Sequence, residues 1–202
     1  RKGSSAASDV YKRQQLYNRI SATDIRRDWW DPSDKESPYV SKKFSFANVA
    51  SFLGDYIYMR VEEMYFIEAE AKAHENLGEG IRLLNEFMNN YRIVGGGYDC
   101  TNMSSSVENF TNELMLQKRI EFWGEGIVMF DMKRLDMSTR RGYVGTNSPA
   151  SYRLNTEGRA PYWNFVISRG ETQNNPVIAT QNNPDPCLLY TSDAADDSLR
   201  VD

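Results

Sequence analysis

Apolar residues recur at three- and four-residue intervals in three stretches of this chain, and polar, turn-forming residues separate the stretches. From Tyr56 to His74 the stripe is Val61, Met64, Tyr65, Ile67 and Ala71, which is the period of an amphipathic helix. Ala69, Ala71 and Ala73 are small, strong helix formers that would let a second helix approach closely. Leu77-Gly78-Glu79-Gly80 reads as a turn, after which Ile81, Leu84, Met88 and Tyr91 form a second stripe, widened by Leu83 and Phe87. So short a break predicts an antiparallel helical hairpin. Gly95-Gly96-Gly97 ends the second helix and opens a loop through Met103. Ser105, with Glu108 three residues later, fits a capping box that satisfies free backbone N–H groups at a helix start. The third helix then runs through Phe110, Leu114 and Ile120 to Trp123, whose indole is expected in the core. Gly124-Glu125-Gly126 should interrupt it before Ile127–Leu135 resumes. Residues 15–54 have no helical period, though a short strand within Lys42–Phe46 fits the alternation there. Beyond Asp136 the richness in Gly, Ser, Asn and Pro predicts long surface loops as far as Pro186. The predicted fold is all-α, a layer of tetratricopeptide-like helical hairpins with long irregular loops.

The two ends carry a different signature. If Asp9–Gln14 is written GAT GTG TAT AAG AGA CAG, its complementary strand, shifted by one base, reads TGT CTC TTA TAC ACA TC. That string encodes Cys187-Leu188-Leu189-Tyr190-Thr191-Ser192. The match of SSAASDVYKRQ to CLLYTSDAADD has the form of a sequencing adapter translated from both strands. Residues 1–14 and 187–202 are therefore expected to be adapter-derived, and Gln15–Pro186 to be the C-terminal part of a longer native protein.

Composition narrows the function classes. The chain carries 24 basic and 28 acidic residues for a net charge of −4, and trimming both expected adapter ends leaves that balance unchanged. No basic excess marks a nucleic-acid footprint. Hydrophobic residues at 40% suffice for a packed core. No apolar run approaches the ~20 residues needed to span a bilayer. Of the two cysteines only Cys100 lies within the expected native stretch, so no internal disulfide can form there.

Four segments are more specific than any of this. Arg60–Ala71 (RVEEMYFIEAEA) resembles the R-x-x-E-x-Y-L-I-x-A-E-A signature of SusD/RagB proteins. Asn85–Ile93, with the glycines that follow, is similar to that family's L-N-x-x-R segment. Gln117–Leu135 (QKRIEFWGEGIVMFDMKRL) is similar to its E-R-x-x-E-x-x-x-E-G-x-R-W-x-D-L-K-R helix. Gln173–Pro184 matches its closing N-P-x-L-x-Q-N-P. Order and spacing agree from Asp24 to Pro184. The chain departs from the pattern at Gln117-Lys118, at Val128-Met129 where the family often has Arg-Trp, and at Ile167-Ser168 where it tends to have Ile-Pro.

The resemblance implies a SusD-like fold and a nutrient-capture role. Such proteins are lipid-anchored on the outer face of the outer membrane in Bacteroidota, and they sit as a lid on a SusC-type TonB-dependent barrel. They capture oligosaccharides or peptides and do not catalyse. The anchor would lie in upstream sequence that is absent from this chain.

Other chemistries fit the residues less well. Glu62, Glu63, Glu68 and Glu70 crowd the first helix, but a di-iron bundle needs a Glu-x-x-His pair on each of two helices, and His74 is the only histidine. The plainer expectation is that Glu63 or Glu70 pairs with Arg60, Arg92 or Arg119. A glycosidase needs two carboxylates at a set separation, which no spacing here marks. A single histidine gives Cys100 no convincing partner for nucleophilic catalysis, and Gly95-Gly96-Gly97 lacks the lysine of a phosphate loop. No catalytic residue, metal or cofactor is expected. A generic helical-repeat module that binds a protein partner in a concave groove is the alternative.

The candidate ligand-binding residues are aromatic. Trp29, Trp30, Tyr162 and Trp163 lie outside the helical stripes, beside acids and amides. Such rings stack on the apolar face of a sugar while the neighbouring polar groups take its hydroxyls. Equally, the rings could plug gaps between loops and helices, where burial stabilises by ~25 cal/mol per Å².

Overall fold

The computed structural model describes residues 13–34, 39–44, 54, 57–144, 146, 150, 153, 155–160 and 163–183. Both expected adapter ends lie outside the described residues, save for Arg13 and Gln14. The described residues form two compact units, one drawn from Arg1–Asp131 and Arg141–Arg153, the other from Met132–Arg140 and Leu154–Asp202.

The first unit is built on a helical hairpin and a third helix. After α1 (Arg13–Asn18) and a 3-10 turn (Ile25–Trp29), β1 (Trp30–Asp31) pairs antiparallel with β2 (Val40–Ser41). Then come α2 (Val61–Glu75), α3 (Leu77–Tyr91) and α4 (Val107–Glu121), followed by α5 (Val128–Arg134), which runs from the first unit into the second. The fold is all-α, as expected, and of the strand expected within Lys42–Phe46 only the pairing of Val40–Ser41 just before it is seen among the described residues.

The hairpin is tighter than the expected four-residue turn. Asn76 alone separates α2 from α3, capping the first helix with its backbone N–H and the second with its side chain, which accepts from Gly78 N. Leu77–Gly80 thus belongs to α3. Gly80 is where the helices cross, because a Cβ there would lie 2.5 Å from Ala73 Cβ and 2.8 Å from Ala69 O. Only a missing side chain permits that approach.

The buried face of α2 differs from the predicted stripe. Phe66, Ala69 and Ala73 are buried, whereas Val61, Met64, Tyr65, Ile67 and Ala71 are exposed. The helix is apolar on more than one side, so periodicity alone cannot choose its inner face. The choice is made by Phe66, whose ring meets Phe87 edge-on at 5.1 Å and Phe122 at 5.6 Å. On α3 the core takes Leu84, Phe87 and Met88, while Tyr91 is exposed and packs its ring near Tyr65. Phe110 and Leu114 of α4 and Cys100 complete this cluster.

Two details of α4 also differ from expectation. Ser106 is the N-cap, accepting from Asn109 N at 3.1 Å, while Ser105 Oγ is held by the Asn109 amide. The helix stops at Glu121, which gives the fully buried position to Phe122 and leaves Trp123 half-buried at the edge of a second cluster. Gly124 and Gly126, both with positive φ, make the interruption before α5.

The second unit is more ordered than loops alone. Arg140 and Asn155 form an isolated bridge, and Thr156 Oγ1 accepts from Thr139 N at 2.9 Å. Two short helices, α6 (Arg169–Asn174) and α7 (Pro176–Ala179), follow. Ser168 caps the first through Glu171 N, and Pro176 opens the second with its preset φ. Among the described residues no helix is long and apolar enough to cross a membrane.

Candidate functional site

Three of the segments that carry the family resemblance converge on one buried ionic cluster. Glu121, at the last turn of α4, has 0% side-chain exposure. Its Oε2 accepts from Arg92 Nε at 2.8 Å, and its Oε1 accepts from Arg92 Nη2 at 2.9 Å and from Arg60. Arg26, also fully buried, reaches Glu121 Oε2 at 3.4 Å and Asp24 Oδ2 at 2.7 Å. Glu62 bridges Arg92 at 3.0 Å and Arg60 at 3.3 Å. Glu125 takes Arg60 at 2.6 Å and Lys43. Four cations therefore meet four carboxylates, and the cluster is neutral.

The α2 acid bound to Arg60 and Arg92 is thus Glu62 in place of the expected Glu63 or Glu70, because the first turn of α2 faces the end of α4. Arg119 is exposed on α4 and takes no part in this set. Neutral, crowded and locked by hydrogen bonds, the cluster fixes how α2, α3 and α4 meet and offers no free group for chemistry.

Its titration has a definite sign. Burial pushes the Glu121 carboxyl up, but the hydrogen bond and charge of Arg92, with Arg26 and Arg60 behind, outweigh burial and hold it below the ordinary value of 4.5. Glu62 is likewise lowered, burial being outweighed by a backbone hydrogen bond and by Arg60. A carboxyl depressed in the folded state contributes its full stability above the unfolded value and loses it as pH falls through the folded one. The melting temperature should therefore hold between neutrality and about pH 5 and drop steeply toward about pH 3. A flat profile over that range, measured by circular dichroism, would contradict the cluster.

The candidate aromatics divide. Trp30 is only 3% exposed and lies in the second core cluster with Leu16, Tyr17, Ile20, Leu116 and Ile120. Its ring meets Tyr17 and Trp123 edge-on, at 6.4 and 6.1 Å, which places it in the core and away from any open stacking face. Trp29 is half-buried against that cluster, with Lys43 Nζ 4.9 Å from its ring centre. The structure brings these two rings to 6.2 Å from one another. Trp163 belongs to the second unit, half-buried in a turn where its N–H donates to Ala160 O at 3.0 Å. Tyr162 lies outside the described residues.

Sequence reasoning missed a cleft of about 300 Å³ in the first unit. Its polar lining includes Arg19, Asp24, Tyr98, Glu113 and Gln117, and its apolar lining Met88, Ile93, Leu116 and Ile120. Tyr98 Oη donates to Glu113 Oε1 at 2.8 Å, and Gln117 Nε2 donates to the same oxygen at 2.7 Å. Burial, and the Glu113 carboxylate beside it, push the Tyr98 phenol above its ordinary value. Glu113, Leu116, Gln117 and Ile120 share one face of α4, but the other lining residues come from separate segments that no local pattern links to it.

Comparison with known proteins follows the same lines. Residues 12–186 match the family model described as SusD family. A crystal structure of a SusD-like carbohydrate binding protein from Bacteroides vulgatus ATCC 8482 superposes with a TM-score of 0.59 at 24% identity. The superposition covers 81% of this chain and 40% of that one, so the chain spans well under half the length of that protein. At this identity the likeness establishes the fold. Among curated proteins none matches the sequence.

Proposed function

This chain belongs to the SusD family, and from that premise we propose that it is part of the substrate-capture component of an outer-membrane uptake system. It binds an oligosaccharide or another nutrient and hands it to a SusC-type TonB-dependent barrel, without catalysis. The whole protein is held on the outer face of the membrane by a lipid anchor in upstream sequence. The observation that carries this reading is the family match over residues 12–186, which includes the hairpin, the ionic cluster and the closing segment. The likeness to a protein described as carbohydrate binding supports a glycan as the ligand class. A generic helical-repeat interaction module accounts for the hairpin but not for a match that extends through the C-terminal segment.

Of the aromatic candidates in the first unit, Trp29 is the less buried, and it is the proposed stacking ring on the face not covered by Lys43, whose Nζ lies over it at 4.9 Å. Trp163, with Tyr162 beside it in sequence, is proposed as a contact in its own right. Replacing Trp29 by alanine should weaken binding of whichever oligosaccharide the intact protein takes from a panel of α-glucans, xylans, mannans and mucin glycans. A ring that carries the contact is worth about 2 kcal/mol or more, which is on the order of thirtyfold in affinity. Because the ring is half-buried against the second cluster, the melting temperature should fall as well, so affinity is compared where the variant is folded. Unchanged affinity in Trp29→Ala, measured by isothermal titration, would remove Trp29 from the site.

A further inference from the structure

The cleft in the first unit contains a charge that the ionic cluster does not balance. Asp24, on its wall, is spent on Arg26, whose Nε and terminal nitrogen engage both carboxylate oxygens at 3.0 and 2.7 Å. Glu113 is only 8% exposed, and among the described residues it makes no ion pair. Its two partners, Tyr98 and Gln117, are neutral donors, and both bind Oε1. A buried carboxylate is ordinarily paired with a cation, because taking it out of water is costly. Oε2 accepts no hydrogen bond among the described residues and is not among the sealed, unsatisfied atoms, and Glu113 lines the cleft.

We propose that this cleft is a binding site for a primary ammonium on an aliphatic stem, the side chain of a lysine in a peptide. Only one carboxylate oxygen is available, which suits the point charge of an ammonium and not the two-pronged guanidinium of arginine. Met88, Ile93, Leu116 and Ile120 supply apolar lining in the same cleft, against which four methylene groups can lie while the charged head meets Glu113. Arg19, an exposed cation that also lines the cleft, would attract the peptide's carboxylate or carbonyl. At about 300 Å³ the cleft lies at the small end of ligand sites, enough for one side chain and not for an oligosaccharide. The site is independent of glycan capture by Trp29, and either can fail without the other.

The test is an NMR titration of the full chain with Nα-acetyl-L-lysine methylamide, following the Gln117 side-chain amide and the Tyr98 ring. Saturable shifts at millimolar probe are expected. The Nε-acetylated probe, which keeps the stem but loses the charge, should give none, and this arm needs no variant. Glu113→Gln keeps the shape and both neighbouring hydrogen bonds in reach, and should weaken binding by about tenfold or more. Glucosamine, an ammonium without the aliphatic stem, should bind more weakly than the lysine probe. No saturable shift, equal binding of the acetylated probe, unchanged affinity in Glu113→Gln, or tighter binding of glucosamine would each overturn the proposal.

Discussion

Leu84→Asp is expected to leave no cooperatively folded protein. Leu84 is 1% exposed at the centre of α3, in one cluster with Phe66, Phe87, Phe110, Leu114 and Phe122. Removing the leucine side chain forfeits about 2–5 kcal/mol of packing. The new carboxylate would be surrounded by rings and aliphatic groups, and burying a charge there adds several kcal/mol more. Domains of this size have about 5–15 kcal/mol in total. Urea denaturation followed by circular dichroism should show no sigmoidal transition in the variant, whereas Leu84→Met, which conserves volume, should lose less than about 1.5 kcal/mol. A cooperative transition in Leu84→Asp would show that α3 does not face the core as described.

Glu121→Ala should be the most damaging single change outside the apolar core. The carboxylate is the common acceptor for Arg26, Arg60 and Arg92, and it has no exposure. Without it three guanidinium groups face one another in a buried site. Removing one partner of a buried pair costs about 3–5 kcal/mol, because the opposing charge is left uncompensated. The exposed Arg82–Glu79 pair on α3 makes the contrast, since solvent screens it and its loss should cost far less. Equal effects from Glu121→Ala and Glu79→Ala in urea midpoints would mean that the cluster is not the clasp between α2, α3 and α4.

The fold was legible in the sequence where a single apolar face existed. On α3 the stripe picked out Leu84 and Met88 because the opposite side carries Arg82, Glu86 and Asn90. On α2 it failed, since Phe66 is buried while Met64, Tyr65 and Ile67 are exposed, and only contacts made by Phe87 and Phe122 distinguish the two sides. Glycine read as a turn former at Gly80 proved to be a packing residue, a role set by the helix it crosses. The ionic cluster was half visible. Arg60 and Arg92 stood out, but their partners Glu121 and Glu125 lie some thirty or more residues away and meet them only through the tertiary fold. Burial separated Trp30 from Trp29, adjacent residues of one type that sequence cannot tell apart. Glu113 could not be singled out among the acids of the chain, because what marks it is burial beside two neutral hydrogen-bond donors, one of which comes from a separate segment.

The most direct test of the capture role is isothermal titration of the intact protein with the oligosaccharide panel, with chromatography of each ligand afterwards. Saturable binding of at least one glycan, recovered unchanged, is the result expected of a subunit that captures and does not cut. Shortened products would contradict capture without cleavage, and no binding across the panel would contradict a glycan as the captured ligand.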